Sequence, residues 1–421
     1  MLVLKDIAQV ITMAGGPAPR CGAGMRELGI LRNGAVIIRG GRIAWVGPSQ
    51  DLPVELSNGA CLELSGGGRE LLAMPGFVDA HTHAVFADHR VDEYELRCQG
   101  KSYEDIAAAG GGIRASVGSV RRASIGELVN RTEPRFRRFL EHGTTTIEAK
   151  SGYGLSTDEE LKILRAIAAL RDVSCLEVVP TFLGAHAIPE ERRGSRRAYI
   201  DEVVHEMIPR VAGEGLARFC DVFCDRGYFT VDEAREVLAA ARSAGLGLRI
   251  HADELGHTGG TQLAAELGAS SADHLEWADE ADIEALRAAG TVATLLPGTA
   301  FNLGLSRYPP ARKLIEAGVP VALATDFNPG SCYTPNMQLI LSMACTQLKM
   351  TPAEAVTAAT LNGAYSLGIS DRLGSIEEGK QADITLMDTP DYREIPYLFG
   401  VNHCVAVVKQ GRIVVNRMEQ S

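Results

Sequence analysis

The chain has 421 residues, 46% hydrophobic and 23% charged, a balance that fits a folded globular protein and argues against disorder. Lys and Arg total 42 against 53 Asp and Glu, a formal net charge of -11. With no dense basic run beyond Arg192-Arg193 and Arg196-Arg197, neither nucleic acid nor an anionic membrane is expected as a partner.

The length allows one large domain and a smaller one. Lys5 and Asp6 interrupt the first apolar run, which therefore does not read as a signal peptide. No stretch approaches the ~18 to 20 apolar residues of a membrane span. The nine cysteines are odd in number and scattered, and the closest pair, Cys220 and Cys224, lacks the partners of a zinc pattern. Free thiols in a cytoplasmic protein are expected.

In chain order, the first clear element is a hairpin. Ala35 to Arg39 is a β-branched run, Gly40-Gly41 the turn, and Arg42 to Gly47 the return. Val405 to Lys409, Gln410-Gly411 and Arg412 to Val415 repeat that pattern near the other end. Neither end buries a face alone, so both are expected in one small discontinuous β-sandwich, made of residues 1–74 and 371–421.

Between them, residues 75–370 alternate short β-rich runs with helical patterns. The predicted strands are Phe77–His83, Thr144–Glu148, Leu176–Phe182, Asp221–Cys224, Leu248–His251, Ala272–Leu275, Val292–Leu296 and Val319–Thr325. Predicted helices include Thr157–Arg171, Val231–Ala244, Thr261–Leu267, Glu280–Ala289 and Thr351–Tyr365. Alternation implies parallel pairing, and eight such units over this length make a (β/α)8 TIM barrel, fold class α/β. An open doubly wound sheet would carry a Gly-rich loop after its first strand; here His-Thr-His stands there. Gly110-Gly111-Gly112 lacks the helix that follows a nucleotide loop, and reads as a mobile loop over the barrel mouth.

A barrel demands its chemistry at the C-terminal ends of strands. His81 and His83 close the first strand, two apart and so on one side. They could share a cation, although taken alone the H-x-H spacing more often marks a hydrogen-bonded strand end. His251 and Asp326, ending the fifth and eighth strands, would complete a four-ligand set, and the ion would bring the pKa of a bound water toward neutrality. Lys150, Tyr153 and His186 also fall near strand ends. So do Glu254, His274 and Asn328.

These residues carry a resemblance. Met74–His83 (MPGFVDAHTH), His251–Glu254 (HADE) and Ala324–Ser331 (ATDFNPGS) resemble the amidohydrolase superfamily of metal-dependent hydrolases. Glu148–Leu155 (EAKSGYGL), Thr181–His186 (TFLGAH), Gly298–Leu303 (GTAFNL) and Asp326–Ser331 (DFNPGS) are similar to its imidazolonepropionase family, and the likeness runs on to Gly379–Ile384 (GKQADI). It implies hydrolysis of the cyclic amide C–N bond of 4-imidazolone-5-propanoate to N-formimidoyl-L-glutamate, in histidine degradation.

The resemblance further implies one metal ion, zinc or iron, on His81, His83, His251 and Asp326. The bridging lysine that binuclear members carry on strand four is absent, and Lys150 is expected in a structural salt bridge. Asp225 fits an outer carboxylate or a cap. Glu254 is implied to shuttle protons. His274 is implied to orient water or polarise the carbonyl, a core histidine being its rival role, and Asp326 to share the water's proton. Substrate contacts are implied for Arg90, Tyr103, Tyr153, His186, Glu254, Asn328, Gly330 and Ser331. Arg90, otherwise a solvated loop charge, suits the propionate because a guanidinium takes a carboxylate with two parallel bonds. A homodimer is expected from the same family. A heterocycle deaminase shares the metal motifs but needs no carboxylate clamp, and a non-catalytic scaffold homologue would have lost ligands.

Overall fold

The computed structural model describes residues 1–53, 62–64, 70–101, 105–106 and 110–418. Eight parallel strands, each paired with the next, form one sheet: β1 (Phe77–Asp79), β2 (Thr144–Lys150), β3 (Glu177–Ala185), β4 (Phe219–Cys224), β5 (Gly247–Ala252), β6 (Ser271–His274), β7 (Val292–Leu295) and β8 (Val321–Leu323). Helices Thr157–Val173, Val231–Ser243, Gly260–Glu266 and Glu280–Ala289 follow β2, β4, β5 and β6. Thr230 with Glu233, and Asp279 with Asp282, close capping boxes that start two of them. This is the (β/α)8 barrel expected from the alternation.

The seam between β8 and β1 closes the barrel, and it departs from regular pairing. β1 ends at Asp79 rather than His83. Beyond it, Thr82 bridges Phe327. His83 N donates to Phe327 O at 2.9 Å, and Asp326 N donates to His81 O at 3.1 Å. Asp79 accepts both the backbone N–H and the hydroxyl of Thr325, at 3.0 and 2.6 Å. The closing bonds therefore fall on the residues that flank the predicted site.

Lower on the seam, Val78 N finds its acceptor in Ala359 O at 2.9 Å. That demand breaks the helix expected over 351–365 into Pro352–Ala358 and Leu361–Ser366. Gly363 lies against the same strand, where a Cβ would come 2.7 Å from Val78 O. A helix Ile113–Arg122 also starts directly at Gly112, which the sequence reading did not anticipate. The φ of 75° at Gly112 is one an L side chain rarely adopts.

The terminal segments make a second, mixed sheet. Leu2–Ile11 lies at its centre, antiparallel to Ile30–Arg39 and parallel to Leu62–Leu64 and Leu72–Pro75. Arg42–Pro48 extends one side. Ile384–Met387, Cys404–Lys409 and Arg412–Asn416 extend the other. Both predicted hairpins are present, with positive φ at Gly40-Gly41 and Gln410-Gly411, as two-residue turns require. Their tips meet through Ala382, which donates to Gly41 O at 2.9 Å and accepts from Gly411 N at 3.0 Å. Leu4, Ile7, Val36, Ile38, Ile384 and Val408 form a separate apolar core there. Glu177 of β3 ties the sheet to the barrel through Lys409 Nζ and Gln381 Nε2, each at 3.1 Å, and through Arg372. Among the described residues no helix is long and apolar enough to cross a membrane.

Candidate active site

Among the described residues the largest fully buried side chain is Arg249, and Lys150 is equally enclosed, so the barrel interior is ionic below its mouth. Lys150 is the last residue of β2, and its Nζ lies 2.8 Å from both Glu148 Oε1 and Asp221 Oδ2. Arg249 Nη2 reaches Asp273 Oδ2 at 3.2 Å and Ala80 O at 2.8 Å. All five of these side chains are fully buried. Two cations thus hold three carboxylates in low dielectric, where an unpaired charge is severely disfavoured. The salt bridge expected of Lys150 is present, and its partners are all buried.

Each carboxylate has a second task. Asp273 Oδ2 accepts from His81 Nδ1 at 2.7 Å. Asp221 Oδ2 lies 3.0 Å from His251 Nδ1. Glu148 Oε2 accepts the N–H of Thr82, between His81 and His83, at 3.1 Å. A proton on each Nδ1 leaves the Nε2 lone pairs of His81 and His251 facing inward. Burial, then Lys150 and the neighbouring imidazoles, hold His81 well below the ordinary histidine range. Burial, then His186 and His251, do the same for His83. These rings are neutral, as metal ligation requires.

Those lone pairs converge. His83 Nε2 is 3.3 Å from His251 Nε2, and Asp326 Oδ1 is 3.6 Å from Nε2 of both His81 and His83. His81 Nε2 is buried without a hydrogen-bond partner. Four ligands at 2.0–2.1 Å around a tetrahedral ion would stand roughly 3.3–3.4 Å apart. Orphaned nitrogen, neutral rings and spacing all fit a cation. Asp326, whose φ is 52°, is steadied by Thr299 Oγ1 donating to its Oδ2 at 2.5 Å.

Two further groups border the cluster. His274 Nε2 lies 3.7 Å from Glu254 Oε2, and its Nδ1 lies 3.8 Å from Glu276 Oε2. Burial pushes the Glu254 carboxyl up. For His274, burial acts downward, but Glu254, Glu276 and Asp326 outweigh it and the net shift is upward. A buried acid and a buried base thus face each other beside the cluster, a pairing suited to proton transfer. Asp225 accepts the N–H groups of Glu254 and Leu255 at 2.7 and 2.9 Å, so its role is to fix the loop that carries Glu254.

The remaining predicted residues surround the opening. His186 stacks on His83 with ring centroids 5.1 Å apart, and Tyr153 lies 5.4 Å from His186. Arg90 is largely shielded and sits against Gly330, where a Cβ would come 2.3 Å from its Nη1. Its Nε and Nη2 donate to Glu93 Oε2 at 3.0 and 2.7 Å. Glu93 Oε1 in turn accepts Gly112 N at 2.9 Å. The Asn328 side chain is used within its own turn, accepting from Gly330 N and Ser331 N and donating to Ser331 Oγ. Tyr103 lies outside the described residues.

Sequence reasoning missed Glu93, Glu148, Asp221, Arg249, Asp273 and Glu276. For all but Glu93, which lies on the helix Val91–Cys98 and gave no signal, the signal was charge inside predicted strands or next to strand ends, where apolar residues are the norm.

Residues 72–414 match the Amidohydrolase family. The chain is similar to an imidazolonepropionase of Solibacter usitatus, 50% identical over 98% of both chains. To one of Geobacillus kaustophilus it is 45% identical over 99% of this chain and 98% of that one. Among solved structures, a zinc complex of an atrazine chlorohydrolase from Arthrobacter aurescens superposes with a TM-score of 0.69 at 18% identity, covering 99% of this chain and 96% of that one. An adenosine deaminase from Xanthomonas campestris with bound zinc gives 0.66 at 20% identity, covering 99% and 93%. These two share the fold. On its match to that family and to those relatives, the chain belongs to the amidohydrolases and, among them, to the imidazolonepropionase family.

Proposed function

We propose that this barrel mouth hydrolyses the cyclic amide C–N bond of 4-imidazolone-5-propanoate to N-formimidoyl-L-glutamate, a step of histidine degradation. The observation that carries the reading is the meeting, at one opening, of the four-donor cluster, the Glu254–His274 pair and the Arg90 guanidinium.

His81, His83, His251 and Asp326 would hold one zinc or iron ion. When bound, such an ion supplies Lewis acidity that makes water nucleophilic near neutral pH. Glu254 takes the proton of the attacking water and returns it to the ring nitrogen as the C–N bond breaks. The water oxygen ends on the carbonyl carbon, which becomes a carboxyl group; one water proton passes to the freed ring nitrogen, the other stays with the new carboxyl or leaves to solvent, and the single ring-opened product has gained one water. His274 hydrogen-bonds the carbonyl oxygen as negative charge develops on it. Asp326 shares the water's proton.

Arg90, with Tyr103 and Tyr153, anchors the propionate, and His186 faces the ring. Asn328, Gly330 and Ser331 form the wall toward the product's amino-acid end. A cytoplasmic homodimer completes the proposal, by analogy with the family.

Mass spectrometry of the product tests it, with freshly prepared substrate and a chelated control. Metal-dependent gain of one water is expected. Release of ammonia from a heterocyclic amine, with no turnover of imidazolonepropionate, would instead mark a deaminase.

A further inference from the structure

Glu160 belongs to none of the groups above, yet it is a fully buried carboxylate in the first turn of the helix Thr157–Val173. Among the described residues its bonds are to N–H groups and a hydroxyl rather than to a cation. Its Oε2 accepts Gly152 N at 2.8 Å, and its Oε1 accepts Gly154 N at 2.7 Å and Leu155 N at 2.8 Å. The Ser151 hydroxyl also bonds it, while accepting Leu183 N of β3 at 2.9 Å. One carboxylate thus gathers three N–H groups and a hydroxyl of the five-residue loop from 151 to 155.

That loop is the one between Lys150 and the helix. It carries Tyr153, and the carbonyl of Gly152 takes His186 Nδ1 at 2.8 Å. A carbonyl oxygen only accepts, so the bond places the imidazole proton on Nδ1. The loop conformation is not one a chain adopts unaided: Gly152 has φ 104° and Leu155 φ 52°. A Cβ at Gly152 would come 2.9 Å from His186 Nδ1, so the backbone is pressed against the ring. From the other side, Arg121 donates to Gly154 O and Leu155 O at 2.7 and 3.1 Å. Positive-φ backbone persists only where its surroundings over-determine it.

The residue type is informative. Three converging N–H donors need a group that accepts through both oxygens and donates through neither, which an ionised carboxylate does and an amide does not. Charge-assisted bonds of this kind are the strong ones; they act downward on the Glu160 carboxyl, burial acts upward, and the net shift is upward.

We infer that Glu160 is a positioning residue for substrate binding: it shapes the 151–155 loop so that Tyr153 and His186 meet the substrate together. The inference rests on the proposed substrate roles of those two residues. It assigns Glu160 no contact with substrate or ion, so its effect falls on binding rather than on the chemical step.

The test is E160Q in the metal-loaded enzyme, with Y153F and H186N as references, reading KM and kcat for imidazolonepropionate, bound metal and melting temperature. Loss of strong, directed bonds in the loop predicts a KM raised about 10-fold with kcat within about 3-fold, and metal content unchanged. The Y153F/E160Q double variant should raise KM by much less than the product of the single effects, since both act through one loop. E160D, which keeps the charge but loses reach, should raise KM less than E160Q, and it serves alone if E160Q does not fold.

A lowered melting temperature with unchanged KM would overturn the inference. So would a parallel fall in kcat and bound metal, or fully multiplicative KM effects. If Y153F and H186N themselves leave KM unchanged, the substrate reading of the loop fails first and takes the inference with it.

Discussion

The imidazole cluster and the arginine rim stand on the same eight strands but are held in place differently. His81, His83, His251 and Asp326 are nearly or wholly excluded from solvent, and the outer nitrogens of His81 and His251 lean on carboxylates that Lys150 and Arg249 fix in turn. Arg90 stands on a loop, in contact with Glu93 and Gly330, and Glu93 leads to another loop at Gly112. The first region is set by strand register in a closed barrel; the second by loop contacts that can move with little effect on the core. Reaction chemistry needs the stiffness of the first, and substrate choice can be written in the second.

The sharpest way to break the comparison is at the cluster itself. D326A should lose the ion and, with it, several kcal/mol of catalysis, about a thousandfold or more in kcat. Elemental analysis of purified protein beside steady-state turnover checks this. Retained metal with retained activity would remove Asp326 from the ligand set.

One step outward, K150M leaves Glu148, Asp221 and Asp273 with Arg249 alone. Breaking a buried ion network by deleting one partner costs about 3–5 kcal/mol, and disturbing the groups behind metal ligands weakens affinity roughly 10–100-fold. Denaturant unfolding and metal competition measure the two effects separately. A K150M protein as stable and as tight for metal as the parent would show that the ionic floor does not hold the cluster.

At the rim the expectation reverses. R90M should leave metal content and stability nearly unchanged while raising KM about 10–100-fold, the worth of a charge-assisted bidentate contact. Equal KM values for parent and R90M would detach Arg90 from the propionate.

The smallest effect is far from both. Burial acts upward on the Glu177 carboxyl, but Arg372, Lys409 and Gln381 outweigh it and carry its pKa down to about 2. A carboxylate held below its unfolded value, 4.5 here, contributes stability above that value and loses it as pH falls toward 2. E177Q should therefore destabilise the protein at neutral pH by roughly 1–2 kcal/mol, discounted for the partial exposure of Arg372. The gap should narrow below about pH 4.5 and close near pH 2. A difference independent of pH would mean that Glu177 acts by shape and not by charge.

Much of this molecule is legible in the order of its residues. Short β-rich runs alternating with helical stretches specify a parallel barrel, because each signal lies within a few residues of chain. The H-x-H just beyond β1, the histidine next to the last residue of β5 and Asp326 beyond β8 follow from the rule that barrel chemistry sits at strand ends. Tertiary structure alone decided what stands behind them. Asp273 meets His81 across 192 residues of sequence, and Lys150 meets Asp221 across two strands. Glu160 gathers a loop whose backbone, not side chains, it recognises. Such pairings depend on which strand lies beside which and at what register after the barrel closes, and local periodicity carries no record of that.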